Sequence, residues 1–211
     1  FRVILRRDAD PRAMRQAVRE FADALRRADV GLFYYAGHGV QVDGENFLIP
    51  VGADIKDAEE VAISGVNMSE LLKTMERAAS RLNIAVLDAC RDNPFPASSR
   101  TLARGLAPVT APSGTLIAYA TAPGQVALDG TGTNSPYTAA LAKAIPLEGL
   151  ALEEVVRRAR LQVLETTSGR QTPWEHSSLT GEFFFTPKVA RPEATSRNGD
   201  APRLAAYSAS A

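Results

Sequence analysis

Residues 30–39 read Val30-Gly31-Leu32-Phe33-Tyr34-Tyr35-Ala36-Gly37-His38-Gly39, an apolar run of strand length that gives way to small residues around a histidine. An apolar stretch without alternation is the pattern of a strand buried on both faces. Residues 83–90 repeat it: Asn83-Ile84-Ala85-Val86-Leu87-Asp88-Ala89-Cys90 stays apolar until it closes on a carboxylate and a thiol. Residues 114–121 form a third core strand. Amphipathic segments lie between these runs. Asp10-Pro11 supplies an N-cap and an N1 proline, and Met14, Val18, Phe21 and Leu25 make one apolar helix face. A second helix is predicted over 68–79, with Asn67 as N-cap and Glu70 in the capping-box position. Ser135-Pro136 opens a third, to about residue 145, and Leu152, Val155, Val156, Ala159 and Val163 mark a fourth. Buried strands alternating with such helices predict an α/β sandwich on a mostly parallel sheet. In such sheets ligands sit beyond the carboxyl ends of the strands.

Shorter signals complete the pattern. Residues 3–6 and 182–185 read as short strands, the second closing the fold. Residues 40–42 and 46–49 flank Asp43-Gly44, a hairpin signal. Residues 91–113 are rich in Pro, Ser, Arg and Gly and read as a long mobile loop, a length that is more often functional than accidental. From Pro187 onward Ala, Pro, Ser and Arg follow no period, which predicts a disordered tail or linker. The expected organisation is therefore one domain over 1–186 and a tail over 187–211.

Composition narrows the function. The chain has 211 residues, and 24 basic side chains balance 24 acidic ones. A neutral chain has no global field to hold a polyanion, so nucleic acid is not the expected partner. No apolar run approaches the roughly 20 residues of a membrane span. The arginine-rich segment 1–27 and the acidic segment 41–60 read as solvated faces. Cys90 is the only cysteine beside two histidines, which leaves neither an intrachain disulfide nor a Cys/His zinc site. An export signal would lie upstream of Phe1, so the compartment is left open.

Two of the buried strands end in reactive side chains. A thiol with a pKa near 8.5 is only about 3% thiolate at pH 7, so a cysteine nucleophile needs a base or a positive neighbour. If the strands ending at His38 and Cys90 are parallel and close, imidazole and thiol share one rim. Glycines on both sides leave the His38 ring unobstructed and free the Gly39 N–H to point at a substrate oxygen.

The segments Leu32-Phe33-Tyr34-Tyr35-Ala36-Gly37-His38-Gly39 and Val86-Leu87-Asp88-Ala89-Cys90-Arg91 resemble the catalytic stretches of caspase-like cysteine peptidases, nearest the bacterial metacaspase (orthocaspase) branch. The histidine precedes the cysteine by about 50 residues, the spacing known for caspases. Gln125, Ala127 and Asp129, after the strand at 114–121, are similar to the metacaspase post-strand motif. The resemblance covers about residues 1–186. It implies a caspase-like three-layer α/β/α sandwich and a hydrolase that cuts peptide bonds through an acyl-enzyme. It assigns His38 and Cys90 as the catalytic pair, with Gly39 and Cys90 N–H groups as oxyanion hole. Asp88 would lie at the base of a pocket that selects arginine or lysine, and Ala120, Thr121, Gln125 and Asp129 would contact substrate. A buried carboxylate two residues before the nucleophile needs a cationic partner, and a substrate guanidinium is one. A local arginine such as Arg91 is the other.

The chain also departs from that pattern. Ala36 stands where many metacaspases have serine, and Arg91-Asp92 replaces the usual His-Ser. The family's first strand and first helix, with a pocket aspartate, match nothing here, so they are expected to precede Phe1 in a longer protein that carries further sequence beyond either terminus. Arg100 and Arg104, among small polar residues, are candidate autoprocessing sites for an arginine-directed peptidase. Calcium activates some metacaspases, but the acidic stretch 43–60 lacks an Asp-x-Asp ligand pattern, so no cofactor and no metal site are expected. The expected partner is a peptide or protein substrate. The rival reading is a non-catalytic caspase-like module for protein binding, against which the intact His38/Cys90 pair speaks.

Overall fold

The computed structural model describes residues 1–78, 80–90, 102–103, 106–107, 109–123, 125 and 127–188. In chain order the elements are α1 (Pro11–Leu25), β1 (Val30–Val42), β2 (Glu45–Ile49), α2 (Ala58–Ser64), β3 (Val66–Asn67), α3 (Met68–Arg77), β4 (Leu82–Cys90), β5 (Leu102–Ala103), β6 (Thr115–Tyr119), α4 (Pro136–Ala144), α5 (Leu152–Thr166) and β7 (Trp174–Ser177). The capping chemistry operates where the sequence places it. Asp10, Asn67 and Ser135 accept from Ala13 N, Glu70 N and Thr138 N, so each satisfies an amide that the first helical turn leaves open.

The strands form one sheet in the order β3-β2-β1-β4-β6-β7, with β5 paired to β1. The three central strands β1, β4 and β6 are parallel, and antiparallel neighbours close both sides. Alternation along the strands sends Ala85, Leu87, Ile117 and Tyr119 to a core with Met14 and Leu25 of α1 and Leu71 and Met75 of α3. Ile84, Val86, Leu116 and Ala118 meet Tyr137 and Leu141 of α4 and Val155 and Val156 of α5 on the other face. The result is the expected caspase-like α/β sandwich, helices on both faces of a mixed sheet. No helix among the described residues is long and apolar enough to cross a membrane.

Four local expectations are corrected. The run at 30–35 is a strand, but it continues to Val42 and is only half-buried, with Tyr34 exposed. The reason is pairing: β4 covers one edge of β1 from Val30 to His38, whereas β2 reaches the other edge only over His38–Val42. Over 30–37 that second edge has no strand partner among the described residues. Residues 3–6 form no strand: they pair with no edge, not even the open one of β1, and Val3 and Leu5 are exposed. The closing strand is β7, not 182–185. Phe183 and Phe185 are taken up by the α4–α5 core and only Phe184 bridges, to Ala151. The acidic stretch hides α2, started by Asp57, whose side chain accepts from Glu60 N. Of 91–113, residues 91–101, 104–105 and 108 lie outside the described residues, Arg91, Arg100 and Arg104 among them. Leu102–Ala103 pair with β1, and Leu106 is buried. Most of the 187–211 tail, from residue 189 on, also lies outside the described residues.

The hairpin between β1 and β2 follows its sequence signal. Asp43 and Gly44 both take positive φ, 49° and 84°, which is the geometry a two-residue turn between right-twisted strands requires.

Candidate active site

Parallel pairing sets the site at the level of the backbone. In the register of β1 against β4, Ala36 lies opposite Asp88 and His38 opposite Cys90, at the carboxyl end of the central sheet. β6 ends on the same rim, Tyr119 pairing with Trp174 of β7, and Ala120 N continues the ladder to Leu87 O. Helix α4 begins above this rim, where a helix following a parallel strand must.

Around His38 the chain is held by its neighbours. The Tyr35 hydroxyl donates to His38 O at 2.8 Å and shares its proton with Ile49 O at 2.9 Å. Burial pushes that phenol well above its ordinary pKa, so it stays a donor at neutral pH. Tyr35 also explains a glycine: a Cβ on Gly37 would lie 2.6 Å from the Tyr35 oxygen. Gly39 is confined as well, since its Cβ would approach Leu106 to 3.0 Å and Ala89 to 3.3 Å. The His38 side chain itself is exposed.

Asp88 is 7% exposed and is held from α4. Its Oδ2 accepts from the Ser135 and Thr138 hydroxyls, the latter at 2.5 Å. The Tyr34 hydroxyl lies 2.5 Å from Thr138 Oγ1. Ala36, the register partner of Asp88, is exposed and adds little bulk beside it.

The post-strand residues divide. Ala120 and Thr121 are buried, so their part in any substrate contact would run through the backbone, while Gln125 and Asp129 are exposed. What holds this segment carries no sequence signal of its own. Gln171, 1% exposed, donates from Nε2 to Ala120 O at 2.8 Å and accepts from Leu128 N at 2.9 Å through Oε1. One amide therefore ties the end of β6 to the loop that carries Asp129. Gln171→Leu leaves both backbone groups unpaired at about 1–3 kcal/mol each. The expected result is a fall in Tm on the order of 10 °C in a thermal melt. An unchanged Tm would show that water replaces the amide without cost.

By sequence Ser135 and Thr138 mark only a helix start, and Tyr34 and Tyr35 only the strand and the segment that resembles the family's; the polar atoms they hold emerge from the fold. Among the described residues no group of three or more His, Cys, Asp or Glu could hold a metal ion.

Comparison with protein families matches residues 1–184 to the caspase domain. Among curated proteins, human mucosa-associated lymphoid tissue lymphoma translocation protein 1 is 37% identical over 91 residues, 43% of this chain and 11% of that protein. Its mouse homolog is 36% identical over 91 residues, again 43% of this chain and 11% of the homolog. The chain thus spans a small part of the curated relatives it matches. The family match runs through every strand and helix described above, and by it this chain belongs to the caspase-domain family.

Proposed function

We propose that this chain is a cysteine endopeptidase that cuts after arginine or lysine. Cys90 is the nucleophile, His38 the general base and then acid, and Asp88 the carboxylate that receives the basic side chain. The observation that carries the reading is the register. His38 and Cys90 are register partners on adjacent parallel strands, Cys90 as the last residue of β4, and Asp88 lies buried one alternation earlier. Within the family the segments 32–39 and 86–91 favour the bacterial metacaspase branch, with Ala36 and Arg91-Asp92 as its departures.

The chemistry follows from those residue types. The Cys90 sulfur bonds to the scissile carbonyl carbon as its proton passes to His38. The C–N bond then breaks, and His38 returns the proton to the leaving amine. Water, deprotonated by His38, attacks the resulting thioester and restores the thiol. The N–H groups of Gly39 and Cys90 are the donors proposed for the oxyanion in between.

Labelling with an iodoacetamide probe at neutral pH tests the nucleophile cheaply. The native chain is expected to label faster than a denatured control, and equal rates would favour a non-catalytic module. Self-cleavage gives a second check. Intact-mass analysis should show cuts after Arg100 or Arg104 in wild type that are missing in Cys90→Ala. Identical cuts in both proteins would indicate a contaminant, and an uncut wild type would remove the autoprocessing sites.

A further inference from the structure

The hydroxyls around Asp88 form a directed chain. Thr138 Oγ1 donates to Asp88 Oδ2 at 2.5 Å and has one proton, so at its 2.5 Å contact with Tyr34 the phenol is the donor. Ser135 Oγ gives its own proton to Oδ2 while it accepts the Thr138 amide at 2.9 Å. Among the described residues both side-chain hydrogen bonds to Asp88 thus fall on Oδ2. A carboxylate gripped through one oxygen by two donors cannot spin about its Cβ–Cγ bond, so Oδ1 is presented in one orientation. The Tyr34 phenol has its pKa raised, by burial first and then by the Asp88 charge, so it keeps its proton.

We propose that Thr138, held by Tyr34 and seconded by Ser135, is the residue that orients Asp88 and so sets its preference for arginine over lysine. This rests on the reading of Asp88 as the basic-residue receptor. With both lone pairs of Oδ2 taken, a guanidinium, a planar fork, lays two N–H groups on the in-plane lone pairs of Oδ1 only where the carboxylate plane is fixed. An ammonium is a point charge, indifferent to that plane. Orientation of Asp88 therefore separates the two substrates, whereas its charge attracts both.

The test is a matched pair of peptides, one with arginine and one with lysine before the scissile bond, given to wild type, Thr138→Val, Thr138→Ser, Tyr34→Phe and Asp88→Asn. Thr138→Val keeps the shape and the backbone N–H but loses the hydroxyl. It is expected to lower kcat/KM on the arginine peptide about tenfold, mostly through KM, and to shrink the arginine-to-lysine ratio by a similar factor. Thr138→Ser restores both, and iodoacetamide labelling is the same in all. If Thr138→Val does not fold, Tyr34→Phe on the exposed end of the chain carries the expectation at about two- to threefold. A wild-type ratio in Thr138→Val, or in Tyr34→Phe where that variant stands in, overturns the proposal while loss of selection in Asp88→Asn keeps the receptor reading. Unchanged selection in Asp88→Asn overturns the receptor reading and the proposal together.

Discussion

Cys90→Ala is expected to reduce peptide hydrolysis to the uncatalysed background, and His38→Ala to lower kcat/KM by at least about 10³-fold. The first change removes the only thiol in the chain. The second leaves the sulfur but takes away the group that accepts its proton and later protonates the amine. With about 3% of an unaided thiol ionised at pH 7, the His38→Ala variant keeps a residual rate that climbs as pH rises toward 8.5. The double variant should be no worse than Cys90→Ala alone, because the two act as a unit. Steady-state rates on an arginine peptide from pH 6 to 9 read all of this. Full activity in either single variant would mean that hydrolysis comes from elsewhere and that the pairing of His38 with Cys90 is only structural.

The strands and helices that were legible are those whose signal is local. Asp10-Pro11, Asn67 and Ser135-Pro136 mark helix starts because a side-chain oxygen and a fixed φ act within one turn. Asp43-Gly44 marks its turn for the same reason. Pairing is not local, and no short stretch of sequence encodes it. Nothing in 30–35 says that one edge of β1 is covered and the other open, so the apolar run by itself predicts burial on both faces. Phe183 and Phe185 look like strand residues by type, yet they complete the helix layer, and the less apolar Trp174–Ser177 takes the edge beside β6. His38, Cys90 and Asp88 stood out because their chemistry interrupts an apolar background. Tyr34, Thr138 and Gln171 did not, since each fits its helix or strand, and only the tertiary contacts show which polar atom it holds.

Asp88→Asn is expected to abolish most selection for a basic residue while leaving Cys90 reactive. Asparagine has the shape of aspartate, and its Oδ1 can still accept from Ser135 and Thr138, so the anchoring to α4 survives and the loss is that of charge. A buried carboxylate facing a guanidinium makes charge-assisted hydrogen bonds, each worth about 1.5–3 kcal/mol, whereas the amide offers one neutral acceptor and a donor pair that repels the cation. The expected fall in kcat/KM on the arginine peptide is on the order of 10- to 150-fold. The lysine peptide falls by a similar factor, because the charge that is lost attracts both cations. A peptide with aspartate before the scissile bond is the control: wild type should reject it, since a second carboxylate beside Asp88 is repelled, and the variant should reject it less. The loss should sit in KM and kcat/KM, with iodoacetamide labelling at the wild-type rate, which separates a damaged pocket from a damaged nucleophile. Preference of the wild type for aspartate, or arginine selection intact in Asp88→Asn, would take Asp88 out of the pocket. The carboxylate would then be what its bonds to Ser135 and Thr138 make it without a substrate, a clamp between β4 and the first turn of α4.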